Sequence, residues 1–130
     1  MTQVEITVLE NSDNGASFFG KALYHLDDFG GMMISPRQEA LNFRHRASAP
    51  GYASDWHVAG DPTLIVIRQG VLRLILRDGE WRDFGPGEQF IAKDFLEEGV
   101  VFDDSLHGHR AEVLGDETLL ALHVKLGVLK

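Results

Sequence analysis

Apolar and polar residues alternate with a period of two along most of this chain, the signature of strands with one face inward. Over residues 40–46, Leu41, Phe43 and His45 share one face and Asn42, Arg44 and Arg46 the other. Over residues 71–77, Leu72, Leu74 and Leu76 point inward, with Arg73 and Arg77 outward. Residues 107–113 repeat the pattern: Arg110 and Glu112 outward imply His107, His109, Ala111 and Val113 inward. Residues 118–126 set Leu120, Leu122, Val124 and Leu126 on one face and His123 on the other, as a surface or intersheet side chain. Residues 63–67 are almost wholly apolar, as in a strand buried on both faces. Residues 4–9, 81–84 and 89–93 complete the predicted strands.

Turn chemistry separates these runs. Asp78-Gly79 predicts a tight type I′ hairpin, and Gly85-Pro86-Gly87 and Gly115-Asp116 mark further turns. No helical period is sustained. Residues 18–29 could hold one helical turn, broken by Gly20, Gly30 and Gly31. Residues 94–106 predict a long acidic loop carrying Glu97, Glu98, Asp103 and Asp104. Short strands at regular spacing predict an all-β sandwich or barrel. At 130 residues this is one domain, with residues 1–39 a β arm and irregular segment and residues 40–130 the barrel.

Composition narrows the chemistry. The chain has no cysteine, which excludes disulfides, thiolate metal sites and cysteine nucleophiles. Its net charge of −8 opposes nucleic-acid binding. The basic groups at Arg44 to Arg46 and at Arg73, Arg77 and Arg82 read as solvated strand faces. The opening residues lack a basic segment followed by an apolar run, and no uncharged stretch is long enough to span a membrane. A cytoplasmic protein is expected. No nucleophile elbow, phosphate loop, dinucleotide fingerprint or HExxH pair occurs. The adjacent acids Asp27-Asp28, Glu97-Glu98 and Asp103-Asp104 would split to opposite strand faces, so they form no acid/base dyad.

One stretch carries a spacing of its own. GYASDWHVAGDPTLIVIRQG runs from Gly51 to Gly70 and places Gly51, His57 and Gly70 at three of the five fixed positions of G-x5-H-x-H-x3,4-E-x6-G. The two others are Ala59 and Thr63. A strand, the turn Gly85-Pro86-Gly87-Glu88 and then His109 follow. Over roughly residues 40–126 the chain resembles the small single-domain cupins. The resemblance implies a double-stranded β-helix, or jelly-roll barrel, and a homodimer. The second signature departs from the family: Lys93 stands where a proline is expected, about a dozen extra residues precede His109, and Val113 replaces an asparagine.

The family's usual metal set is three histidines and a glutamate, of which only His57 and His109 are kept by position. If residues two apart face the same way, the barrel mouth gathers Asp55, His57, His107 and His109. Two readings follow. In one, these side chains orient a small polar or anionic ligand in a pocket whose metal site has degenerated. In the other, Asp55 and His107 are recruited beside His57 and His109 to hold a divalent metal (Fe, Mn, Ni or Zn) for a dioxygenase or isomerase. A third possibility is a solid barrel acting as a dimeric interaction module. His45 and Phe43 are expected in the core, His25 in a structural or exposed position, and Trp56 outside the pocket. Met32 and Met33 are expected as flexible packing.

Overall fold

A computed structural model describes residues 2–127, and every described element is a strand or a connection between strands. The chain begins with β1 (Gln3–Asn11) and β2 (Ser17–His25), then a small hairpin of β3 (Asp27–Phe29) and β4 (Met32–Ile34). It continues through β5 (Ala40–Ser48), β6 (Thr63–Gln69), β7 (Val71–Ile75), β8 (Trp81–Phe84), β9 (Gln89–Ala92), β10 (Arg110–Leu114) and β11 (Leu119–Leu126).

One sheet has the order β2-β1-β9-β6-β11-β5 and the other β10-β7-β8. From β5 onward the chain crosses repeatedly between them, and a strip at residues 53–57 bridges the free edge of β10 through Ala53–Glu112 and His57–His109. Counting that strip, four strands face the six of the large sheet, as the two packed layers of a jelly roll. The all-β, double-wound barrel expected from the cupin resemblance is therefore the fold of the chain. No helix is long and apolar enough to cross a membrane among the described residues.

The core lies between the sheets. Leu9, Ile65, Ile67, Phe90 and Leu119 from the large sheet meet Leu72, Leu74, Phe84, Ala111 and Val113 from the small one, all buried. The predicted alternation at β7 and β10 supplies these contacts. On β11 the faces alternate as expected, but Leu119 and Ala121 point into this core, while Val124 and Leu126 join the cluster on the back of the sheet. Residues 63–67 are apolar on both faces because the large sheet has a second cluster on its back, Ile6, Val8, Ile91 and Leu126, against which Leu64 packs.

Four expectations need correction. Residues 18–29 form no helical turn: Ser17–His25 is β2, paired along its whole length with β1. Long-range pairing overrides the weak local pattern. Asp78-Gly79 does not close a type I′ turn, because that turn needs positive φ at both central residues and Asp78, like every other non-glycine among the described residues, has none. Instead Gly79 N–H donates to Leu76 O at 3.0 Å and Leu76 N–H to Glu80 O at 2.8 Å, a longer loop ending in a left-handed glycine. Phe43 and His45 are not core: β5 is an edge strand whose outer face is bare, leaving Phe43 65% exposed. Arg77 is not a solvated charge, as the site geometry shows.

Candidate functional site

The site begins with a backbone pair. His57 N–H donates to His109 O at 3.0 Å and His109 N–H returns the bond to His57 O at 2.8 Å. A doubly bonded antiparallel pair holds both side chains on one face, and the imidazole centroids lie 4.5 Å apart. Gly108 allows this approach. Its φ is +86°, and a Cβ there would stand 2.6 Å from His57 O. Arg77 clamps the same bend, donating from Nε and Nη2 to His107 O at 3.1 and 2.9 Å. Its guanidinium also covers the Trp56 ring at 4.0 Å.

Beneath the pair lies a residue the sequence reading assigned to an acidic loop. Asp94 is fully buried. Its Oδ2 accepts from His109 Nδ1 at 2.7 Å and from Ser17 Oγ at 2.7 Å, and its Oδ1 accepts from Ala59 N–H at 3.0 Å. Burial pushes the Asp94 carboxyl up, but the hydrogen bond and charge of His109, with the bonds from Ser17 and Ala59, more than offset it and hold the group below its usual value. The carboxylate fixes the His109 tautomer with hydrogen on Nδ1, and the Asp55 carbonyl does the same for His57, accepting from Nδ1 at 2.8 Å. Nε2 is thus the remaining nitrogen of each ring.

The other two expected members do not join. Asp55 takes part through its main-chain carbonyl, and its side chain is exposed. His107 is buried, but it faces a different cavity of about 420 Å³ lined with Asn11, Gly15, Phe95 and Glu97. Its Nδ1 accepts from Asp103 N–H at 2.9 Å. The left-handed turn at Gly108 breaks the period of two that would have put His107 beside His109.

These donors do not fit a resident metal. A ligating imidazole ordinarily gives its second N–H to a carboxylate or carbonyl, and both rings meet that condition. However, the remaining family positions are Ala59, which has no lone pair, and Thr63, whose hydroxyl donates to Asp61 O at 3.0 Å. Asp94 is committed to its three donors. Among the described residues no group of three or more histidine, aspartate or glutamate side chains could hold a metal ion.

The two altered positions instead line a cavity of about 560 Å³, together with Asn42, Arg44, Asp61, His123 and Lys125. Ala59 also packs on the core and, through its N–H on Asp94, links this cavity to the buried dyad.

No family model matches the chain, and no curated protein matches it. It is similar to several solved structures. One is a conserved protein of unknown function from Streptococcus pyogenes, with 12% identity over 74% of this chain and 72% of that one, at a TM-score of 0.46. Another is the polyketide cyclase RemF from Streptomyces resistomycificus, with 17% identity over 68% and 54% and a TM-score of 0.46. A third is the Cupin_2 domain of an XRE family transcriptional regulator from Enterobacter cloacae, with 22% identity over 68% and 83% and a TM-score of 0.39.

Proposed function

We propose that this cupin-fold chain binds a small polar or anionic molecule in the barrel, in the cavity lined by Ala59 and Thr63, and that it does so without a resident metal. The observation carrying this reading is that the two positions at which the family pattern asks for metal ligands are small or weakly polar here and open a cavity of about 560 Å³. A concave site with a few fixed polar groups is the usual form of a small-molecule pocket. Neither His57 nor His109 lines this cavity; its wall reaches the pair through Ala59 N–H and His109 Nδ1, both bonded to Asp94.

The test has two parts. Elemental analysis of protein purified without chelators is expected to find less than about 0.1 metal per chain, unrestored by Fe, Mn, Ni or Zn. A thermal-shift panel of small polyols, carboxylates and phosphates is expected to yield stabilising ligands, with the shift abolished by Ala59→Phe, which fills the cavity. Stoichiometric metal, or ligand shifts unchanged in Ala59→Phe, would overturn the proposal.

A further inference from the structure

The inner face of the large sheet carries two cations that no carboxylate pairs among the described residues, although the Arg46 guanidinium lies over the Tyr52 ring at 5.3 Å. Arg44 and Arg46 lie two apart on β5, in register with His123 and Ala121 on β11 and then with Ile65 and Ile67 on β6. Since Ile65 and Ile67 point into the core, both arginines and His123 share the inward face. Neither arginine forms a salt bridge among the described residues. Arg46 donates from Nε to the uncharged Ser48 hydroxyl at 2.9 Å. Lys125, the next cation along this face, is by contrast paired with Asp61 at 2.7 Å.

His123 completes the cluster. Its Nε2 is buried and has no hydrogen-bond partner among the described residues. A buried polar atom without a partner is costly to keep, and such an atom calls for an explanation. Here the residue stands directly across from Arg44 and diagonal to Arg46, in a chain whose net charge is −8. Both Arg44 and His123 line the cavity beside Ala59 and Thr63.

We infer that Arg44, Arg46 and His123 form a seat for an oxyanion, the carboxylate or phosphate group of the molecule that the cavity takes. The inference rests on the pocket reading and assigns its ligand a charged group. Guanidinium groups recognise both oxyanions through paired N–H donors. Burial first, then the charges of Arg46 and Arg44, press His123 down to about 4. An oxyanion that neutralises the two arginines removes the second cause and gives Nε2 an acceptor to donate to, so its arrival raises the ring's titration midpoint.

The experiment follows the His123 imidazole by NMR in the full chain, with inorganic phosphate and acetate as probes and sodium chloride at equal ionic strength as reference. Phosphate or acetate is expected to raise the His123 midpoint by about a unit. Arg44→Gln and Arg46→Gln are each expected to weaken the probe by about tenfold or more. Arg68→Gln, which removes an exposed charge from the opposite face of β6, should change nothing. A stronger response to phosphate assigns a phosphoryl ligand, and a stronger response to acetate a carboxylate ligand. An unmoved His123, an equal movement in chloride, or no effect of either arginine variant overturns the seat. The two proposals fail separately. If neutral polyols bind and are lost in Ala59→Phe while His123 ignores both oxyanions, the seat is wrong and the pocket stands. If the oxyanions move His123 equally in Ala59→Phe, the seat stands and the pocket is wrong.

Discussion

Asp94 Oδ2 lies 2.7 Å from His109 Nδ1, and neither side chain is more than 5% exposed. A buried carboxylate survives in a fold only when its lone pairs are filled. Three donors fill them here, from Ser17, Ala59 and His109. The pair therefore belongs to the foundation of the site, and His57, on the same face, is the member exposed to solvent.

Removing either half of this pair should cost much more than removing His57. His109→Ala strands the Asp94 charge without its main partner, and a loss of about 3 kcal/mol is expected in urea denaturation. Asp94→Asn should cost about 2 kcal/mol. His57 is exposed, so His57→Ala should stay within about 1 kcal/mol of the parent. Equal losses for His57→Ala and His109→Ala would contradict the burial asymmetry.

Acid should reveal Asp94. Its carboxyl lies below the usual value in the folded chain, so the unfolded chain takes up this proton first as pH falls. The stabilisation is complete above the unfolded value of about 3.9 and disappears as pH drops through the lower native value. Asp94→Asn should remove that part of the acid dependence, leaving a shallower fall in urea midpoint below pH of about 4.

His123 contributes over a different interval. Folding depresses it from 6.5 to about 4, so below 6.5 the unfolded chain binds a proton that the native chain refuses. Stability should be insensitive to this group above 6.5, decline between 6.5 and about 4, and level off below. The difference in urea midpoint between His123→Gln and the parent, measured across that interval without added oxyanions, should carry this slope. A constant difference would place the ring in water.

Gly108→Ala tests the approach of the two histidine strands. A side chain there meets the His57 carbonyl at 2.6 Å and must adopt φ of +86°. A destabilisation of about 2 kcal/mol or more is expected, together with loss of NOEs between the two imidazoles. Preserved stability and NOEs would mean that the bridge yields easily.

Asp55→Asn should do little. The residue fixes His57 through its carbonyl oxygen, which the substitution retains, and its carboxylate is exposed. Stability should change by less than about 0.5 kcal/mol, and any ligand shift lost in Ala59→Phe should survive intact.

The period of two carried most of this architecture. It placed the leucines of β7 and the alanine and valine of β10 in the core, and on β11 it separated His123 from Leu120 and Leu122, although Leu119, Ala121 and His123 are the side that turns inward. It also contained Asp94, since Phe90, Ala92 and Asp94 follow one another on the inward face of β9 and its continuation. An acidic residue extending a buried alternation was the available signal, obscured by the Glu and Asp residues after it. His107 was misplaced because one glycine reverses the parity of the chain between it and His109. Phe43 was misplaced because alternation separates the two faces of a strand without saying which one a second layer will cover. The Arg44–Arg46–His123 grouping depends on the order of β5 and β11 in the sheet, which spacing along the chain does not contain.

Asp94 also has a kinetic meaning. Its partners Ser17, Ala59 and His109 stand 77, 35 and 15 residues away, so no local segment can assemble this corner. Loop closure on that scale must precede any return from the bonds it permits. The corner should therefore be among the last parts of the barrel to lock as the chain folds, so the imidazoles would gain their fixed tautomers only after the two sheets have closed.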